Sequence, residues 1–457
     1  MDYNQLKEEF QSFHYDSYTY QIKNQTLELC FNYRLIGTNQ EIPFIHKVSY
    51  YAKGNAEVDL NQISSLEAFV FHIGMVETIN YWKLACPNDL VIHCGYLNES
   101  QVKWWKKLYY HGLGEFIYLN HISQIVTEEN FVNIVNEKTS DGQLPDTSIH
   151  LHMLSTSGNL IPIGGGKDSV VTLEVLSGDS QDNIPFVMSP PVAAYDCIEV
   201  AEYKGYLEAK RIFDKQMIKM NDEGFLNGHV PFSSILAFIA TLGAALVNKR
   251  YIALSNERSA NEPSVIGTTF NHQYSKSFEF EEDFDYYIRT YLTKDITYFS
   301  LLRPLYEIQI GELFSHYTKY HQSYRSCNRG KSTNEWCGVC AKCLFVYIIL
   351  SAYVKRDELI KQFGKDLLED IQLQPIFDEL IGIKETKPFE CVGTIWEVRH
   401  ALNLALDRYG QAKLLTYYQS IDGTKMQDQP TEYEEGDLVP KGHLELLKRE
   451  LKRFEIL

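Results

Sequence analysis

Apolar and polar residues alternate through the early stretch YTYQIKNQTLELCFNYRL, a period of two that predicts a hairpin of exposed antiparallel strands. The period then lengthens. SLEAFVFHIGMVETINYWKLA has helical spacing, DLVIHCGYL reads as a strand, and NESQVKWWKKLYYHGL reads as a helix opened by an Asn or Ser cap. From about residue 151 to 325 the pattern becomes strand, loop, helix, repeated, with LIPIG, IPFVMS, YIALSN and LLRPL as strand candidates. Residues 326–354 hold a run of cysteines and the apolar helix CLFVYIILSAYV. The remainder to Leu457 is mainly helical, broken by KPFECVG and the acidic loop DGTKMQDQPTEYEEGD.

This order predicts an α/β protein in three parts. Residues 1–150 form an α+β N-terminal domain, and 151–325 a parallel sheet with helices on both faces. Residues 326–457 form a mainly helical C-terminal region that carries the cysteines. One helix needs separate treatment. VPFSSILAFIATLGAALV, residues 230–247, runs 18 residues without a charge, which reaches membrane-spanning length. It carries Pro231, Ser233, Ser234, Thr241 and Gly243, and a strand follows at once, so a buried helix is predicted. The start, MDYNQLKEEF, has neither a basic nor an apolar signal region, and a cytoplasmic, membrane-free protein is expected.

Composition narrows the partners. At 44% hydrophobic and 23% charged residues the chain is of the ordinary globular kind. A net charge of −17 argues against a nucleic-acid grip, and a small anionic ligand would need its own Lys and Arg. KWWKKLYY could offer rings and lysines to a nucleotide, but the plainer reading is a helix with a buried tryptophan edge and a wet lysine face.

The junction LIPIGGGKDSVVTLEVL concentrates the candidate chemistry. Gly164, Gly165 and Gly166 let the backbone turn sharply between a strand and a helix. Lys167, Asp168 and Ser169 open that helix, whose first N–H groups favour an anion. A Walker loop would have Ser or Thr directly after Gly-Lys, where Asp168 stands, and the dinucleotide fingerprint is met only loosely. GGGKDS resembles the pyrophosphate loop, Ser-Gly-Gly-x-Asp-Ser, of the N-type ATP pyrophosphatases, with Gly164 in place of that family's Ser. The resemblance implies an adenine nucleotide alpha-hydrolase-like fold whose loop holds ATP phosphates with Mg²⁺ and releases pyrophosphate.

SCNRGKSTNEWCGVCAKC places Cys327, Cys337, Cys340 and Cys343 within 17 residues. Four thiolates at this spacing suit tetrahedral Zn²⁺ in a closed structural site, and the same ligands could hold an iron–sulfur cluster. The arrangement is also similar to the zinc site of the pyrophosphatase that makes 7-cyano-7-deazaguanine. Between loop and cysteines lies a polar burst after a strand, with Asn256, Glu257, Arg258, Ser259, Asn261 and Glu262. Sheet ligands bind beyond the carboxyl ends of strands, so a burst there reads as site chemistry.

HVPFSSILAF, SNERSANEP, NHQYSKSFEFE, WCGVCAKCLFVYIILSAY and KPFECVG resemble the UDP-N-acetyl-α-D-muramoyl-L-alanyl-L-glutamate epimerases (MurL). YWKLACPNDLVI, SQVKWWKKL and GLGEFIYLN extend that resemblance into the N-terminal part. It implies an ATP- and Mg²⁺-dependent enzyme of peptidoglycan synthesis that inverts the terminal glutamate of UDP-MurNAc-L-Ala-L-Glu. Gly164, Gly165, Gly166, Lys167, Asp168 and Ser169 would bind pyrophosphate and metal. Arg258, Lys276 or Arg303 would neutralise phosphate or carboxylate charge. Glu257, Glu262 and His272 are candidate bases, and Cys391 a candidate thiol, though its plainer reading is a small buried residue. Two alternatives share the loop and cysteines: a pyrophosphatase that amidates or thiolates a nucleobase or tRNA, and a nucleotide-binding module without catalysis.

Overall fold

A computed structural model describes residues 2–23, 26–58, 66–137, 158–179, 182–261, 271–384, 386–421 and 438–457. Among them are ten strands: β1 Phe10–Lys23, β2 Thr26–Gly37, β3 Glu41–Gly54, β4 Asp89–Ile92, β5 Asn133–Asn136, β6 Asn159–Pro162, β7 Ile184–Met188, β8 Gly205–Ile212, β9 Tyr251–Leu254 and β10 Thr297–Ser300. The chain divides into two compact units. One comprises residues 1–160, 204–252 and 270–298, and the other residues 161–203, 253–269 and 299–457.

In the first unit the strand order is β8-β3-β2-β1-β4-β5. The alternation in the sequence explains it. Leu27, Leu29, Phe31, Tyr33 and Leu35 of β2 are all buried, one residue in two. β1, β2, β3 and β8 pair antiparallel, while β4 joins β1 and β5 joins β4 in parallel. The helix Glu67–Trp82 lies on this sheet. Tyr33 Oη donates to Gly74 O at 2.8 Å, and a Cβ at Gly74 would fall 1.9 Å from Tyr15 Oη. The glycine is therefore a close-approach residue.

The uncharged run forms the helix Phe232–Leu246, thirteen of whose fifteen residues are buried. Tyr50 Oη donates to its Ile239 O at 2.9 Å, and Trp105 stacks on Phe238 with ring centroids 5.2 Å apart. Among the described residues no helix is long and apolar enough to cross a membrane. KWWKKLYY lies in the helix Glu99–Gly112, with Trp105 buried and Lys107 paired to Glu279 and Asp283, both at 2.6 Å.

A second run of strands has the order β10-β9-β6-β7, with β6 parallel to β9. Three of the four strand candidates in this region fall where expected, on β6, β7 and β9. LLRPL does not: the strand is the preceding Thr297–Ser300, and Leu301–Leu305 is a turn closed by Arg303 N to Ser300 O at 3.1 Å and Leu305 N to Leu302 O at 2.9 Å. The proline inside LLRPL has no N–H for a ladder, which weighs against a strand there. The purely parallel expectation is also corrected, because β8 pairs antiparallel with β3 along its whole length and the sheet is mixed. The C-terminal part is helical, with Ala341–Ser351 buried at every position and Arg356–Phe363, Gln374–Leu380, Ile395–Arg408, Lys413–Ser420 and Lys441–Arg453 following it. The acidic loop lies outside the described residues.

Candidate functional site

The glycine turn sits between β6 and the helix Lys167–Val175. Gly165 has φ +82°, and a Cβ on it would lie 2.7 Å from Ala194 N. Only glycine takes this conformation here without strain. A Cβ on Gly166 would meet Ser326 Oγ at 2.6 Å, whereas Gly164 faces open space. Gly166 is the N-cap and supplies no side-chain acceptor, so the first turn relies on other partners for its N–H groups. Ser169 Oγ donates to Gly166 O at 2.9 Å and steadies the turn.

The opposite wall of the turn comes from the segment that leads into the cysteines. Arg325 N donates to Gly165 O at 2.7 Å, two residues before Cys327. Cys197 Sγ also approaches Gly165 O, at 3.8 Å. The cysteines themselves converge: the sulfurs of Cys327, Cys337, Cys340 and Cys343 all lie within 4.8 Å of one another. Cys340 and Cys343 are 3.4 Å apart and Cys337 and Cys343 3.7 Å, near the edge of about 3.8 Å that a tetrahedral zinc with 2.3 Å bonds would set. Backbone N–H groups of Gly330 and Cys337 donate to Cys327 Sγ at 3.1 and 3.4 Å. Hydrogen bonding from Cys343 holds the Cys340 thiol well below its usual range. The donor set and its spacing fit a closed tetrahedral ion.

Lys167 does not reach outward. Its buried ammonium pairs with Asp168 and Glu307. Burial disfavours the charged amine, but the two carboxylates more than reverse this and hold it protonated. Glu307 is fully buried, and burial pushes its carboxyl up against the pull of Lys167, with Asp168 and Glu257 adding to the rise. Asp168 is 23% exposed and is the member of the trio open to solvent. Glu307 N donates to Glu397 Oε1 at 2.5 Å, and Ser259 Oγ donates to the same oxygen at 2.7 Å. Glu397 also closes a capping box with Thr394 at the start of Ile395–Arg408.

The polar burst after β9 joins this network. Thr172 Oγ1, on the helix of the glycine turn, and Ser255 Oγ are hydrogen-bonded at 2.8 Å. Glu257 is buried, and its carbonyl accepts from Arg303 Nη1 at 2.6 Å. Arg258 lies over the Tyr306 ring, 5.6 Å from the centroid, and its N–H donates to Leu305 O at 3.0 Å. Cys391 is half-buried; its carbonyl accepts from the Lys342 ammonium, between two of the clustered cysteines, and Glu390 accepts from Lys342 N at 3.1 Å. Glu262 lies outside the described residues.

His272 and Lys276 belong to the first unit. His272 Nδ1 pairs with Glu115 Oε2, and His229 stands beside them with its ring centroid 4.2 Å from that of His272. Burial, then His272, then Lys83 and Lys276 push the His229 imidazole down to about 3. Glu307, Glu397, Glu115 and His229 were not singled out from sequence. Glu307 does stand in RPLYEI, four residues after Arg303, and Glu397 carries the T-x-x-E signature of a capping box. Those were the available signals.

Comparison with known proteins fits this layout. Residues 4–301 match the MurL N-terminal domain and residues 323–432 the MurL C-terminal domain. The UDP-N-acetyl-alpha-D-muramoyl-L-alanyl-L-glutamate epimerase of Salinispora tropica is 32% identical over 416 residues, covering 89% of this chain and 87% of that one. The enzyme of the same name from a Micromonospora strain is 31% identical, covering 85% and 86%. That of Xanthomonas oryzae pv. oryzae is also 31% identical, covering 73% of each. With both domains matched in order and three relatives aligned over most of its length, the chain belongs to the MurL family.

Proposed function

We propose that this chain is an ATP- and Mg²⁺-dependent epimerase that converts the terminal L-glutamate of UDP-MurNAc-L-Ala-L-Glu to D-glutamate, a step of bacterial peptidoglycan synthesis. The observation that carries the proposal is the alignment over 89% of the chain with a relative named for that activity. The glycine turn, with its open Gly164 and uncapped helix start, supports the ATP requirement.

The chemistry gives such a loop a purpose. The glutamate nitrogen is already acylated by alanine and cannot form an imine with a carbonyl cofactor. Taking the α-proton beside a free carboxylate would place a second negative charge on the same few atoms, which is very costly. Adenylating the α-carboxyl removes that charge and lets the carbanion delocalise into an acyl group. One group then removes the proton and another returns it to the opposite face. Hydrolysis of the mixed anhydride makes the cycle irreversible.

Residue roles follow from the site. The backbone N–H groups at Gly165–Ser169 would receive phosphate oxygens. Asp168, the solvent-facing carboxylate of the trio, would hold Mg²⁺, which supplies neutralisation of phosphate charge. Lys167 would act from within by setting Asp168 and Glu307 in place, and Arg258 would serve an incoming carboxylate or phosphate. Glu257 is the favoured base: it is buried, its backbone carbonyl is held by Arg303, and it is attached to the strand end that Ser255 ties to the loop helix. Glu262 and Cys391 are the other candidates for proton transfer. The four clustered cysteines would hold Zn²⁺ and keep the Arg325 backbone against Gly165.

The test is coupling. Pyrophosphate should be released from ATP only when UDP-MurNAc-L-Ala-L-Glu is present. Release that instead requires tRNA or a nucleobase would replace the epimerase with another pyrophosphatase.

A further inference from the structure

Glu115, His229 and His272 come from three separate stretches, GLGEFIYLN, HVPFSSILAF and NHQYSKSFEFE, yet one ligand-capable atom of each lies within 4.8 Å of the others. Packing explains how they meet. Gly228 has φ +153°, and a Cβ there would sit 3.2 Å from Phe116 Cδ2, so the segment before His229 passes tightly against the short helix Gly114–Leu119 that carries Glu115. That segment is pinned on both sides. Leu226 N donates to Leu84 O at 3.0 Å, and Lys83 Nζ donates to Asn227 Oδ1 and Gly228 O, each at 3.0 Å. Asn120 Nδ2 donates to Asn227 O at 3.3 Å.

Two imidazoles address a single carboxylate oxygen. His272 Nδ1 bonds Glu115 Oε2, and His229 Nδ1 stands 3.8 Å from the same oxygen, too far for a hydrogen bond. One proton can serve only the first of these nitrogens. A cation between them would engage all three donors, since a tetrahedral ion with bonds of about 2.0–2.1 Å needs ligand separations near 3.3 Å. Side-chain exposures of 11%, 25% and 10% for Glu115, His229 and His272 leave the group sheltered but reachable.

Another histidine cluster among the described residues of this unit is built differently. There Asp16 is gripped by Arg34 through bonds of 2.6 and 2.7 Å, and His14 and His93 satisfy one another at 2.8 Å. Its carboxylate already has a guanidinium for a partner.

We propose that Glu115, His229 and His272 form a divalent transition-metal site of the zinc type, built from residues other than the clustered cysteines. Two imidazoles and one carboxylate are three protein ligands, and the fourth position would be open to an exchangeable oxygen ligand. Lys83 Nζ sits on the carbonyl of Gly228, the residue next to His229, at 3.0 Å, so the ligand favoured there is an anionic oxygen: hydroxide, carboxylate or phosphate. This goes beyond the epimerase reading and does not depend on it.

Cobalt separates the two sets of ligands. The full-length chain, depleted of metal with a chelator, is titrated with Co²⁺ and followed by visible and near-ultraviolet absorption. One equivalent should show d–d bands without sulfur-to-cobalt charge transfer. His229→Ala and His272→Ala should lose that equivalent, Glu115→Gln should weaken it, and Cys340→Ser should retain it. Circular dichroism checks that each variant is folded, and the wild-type spectrum decides the matter where one is not. The proposal is overturned if all wild-type cobalt carries sulfur charge transfer, if none binds, or if the sulfur-free equivalent survives in folded His229→Ala/His272→Ala protein.

Discussion

Two buried charge clusters, one in each compact unit, are built to opposite ends. In the first unit Glu77 is met by Arg211 through two bonds of 2.7 Å, by Asn80 at 2.8 Å and by His46 at 3.3 Å. Burial alone would raise its carboxyl, but Arg211 and then His46 overcome that and hold it down to about 2. In the second unit one ammonium, Lys167, serves two carboxylates, and Glu307 is pushed up instead. The first cluster is closed. The second ends in a partly exposed aspartate and adjoins a glycine turn, so it can be completed by a cation. Balanced burial marks a structural pair, and unbalanced burial beside a backbone designed for close approach marks a site.

Substitutions should separate the two clusters sharply. Arg211→Ala leaves Glu77 buried without its main partner and should cost about 3–5 kcal/mol of stability, read from urea unfolding. Asp168→Asn should unfold at nearly the wild-type urea concentration yet lower turnover by about 10²–10³-fold, the usual loss when one charge-stabilising group is removed. If Asp168→Asn instead lost stability and kept its rate, the contrast would collapse. Gly165→Ala must place a side chain at positive φ against Ala194 N, for a cost of about 1–3 kcal/mol and weaker nucleotide binding by calorimetry.

The two clusters also differ in the sign of their pH dependence. Glu77 has a depressed carboxyl, so its contribution is present above about pH 4.5 and is lost as pH falls toward 2. Glu307 has a raised carboxyl, so stability is greatest below about pH 4.5 and declines as pH rises above it. Each slope is at most about 1.4 kcal/mol per pH unit. Unfolding of Glu77→Gln and Glu307→Gln across this range should flatten opposite limbs of the wild-type profile; flattening of the same limb by both would refute the assignment.

What the sequence disclosed depended on how local the signal was. The hairpin of β1 and β2 is written in alternation, the helix Phe232–Leu246 in its uncharged run, and the cysteine set in a spacing that closes within seventeen residues. β8 is different. GYLEAKRI alternates only weakly, and its pairing with β3 joins residues more than 150 apart in the chain, so the mixed character of the sheet was hidden. LLRPL has the apolar content of a strand, but its proline has no N–H to give to a ladder.

The glycine turn was visible, but the fate of Lys167 was not, because its partner Glu307 lies 140 residues away. Glu397 was masked by an ordinary capping role. Glu115 and His229 were passed over because nothing near either in sequence says that they meet.

The proposed function couples ATP cleavage at the glycine turn to inversion of a glutamate α-carbon. The most direct measurement incubates the purified protein with UDP-MurNAc-L-Ala-L-Glu, ATP and Mg²⁺ in D₂O, then determines the chirality and deuterium content of the glutamate after hydrolysis, alongside pyrophosphate. D-Glutamate carrying deuterium at the α-carbon, formed only with ATP and together with pyrophosphate, is the expected result. Unchanged L-glutamate without deuterium, from folded and metal-replete protein, would contradict it.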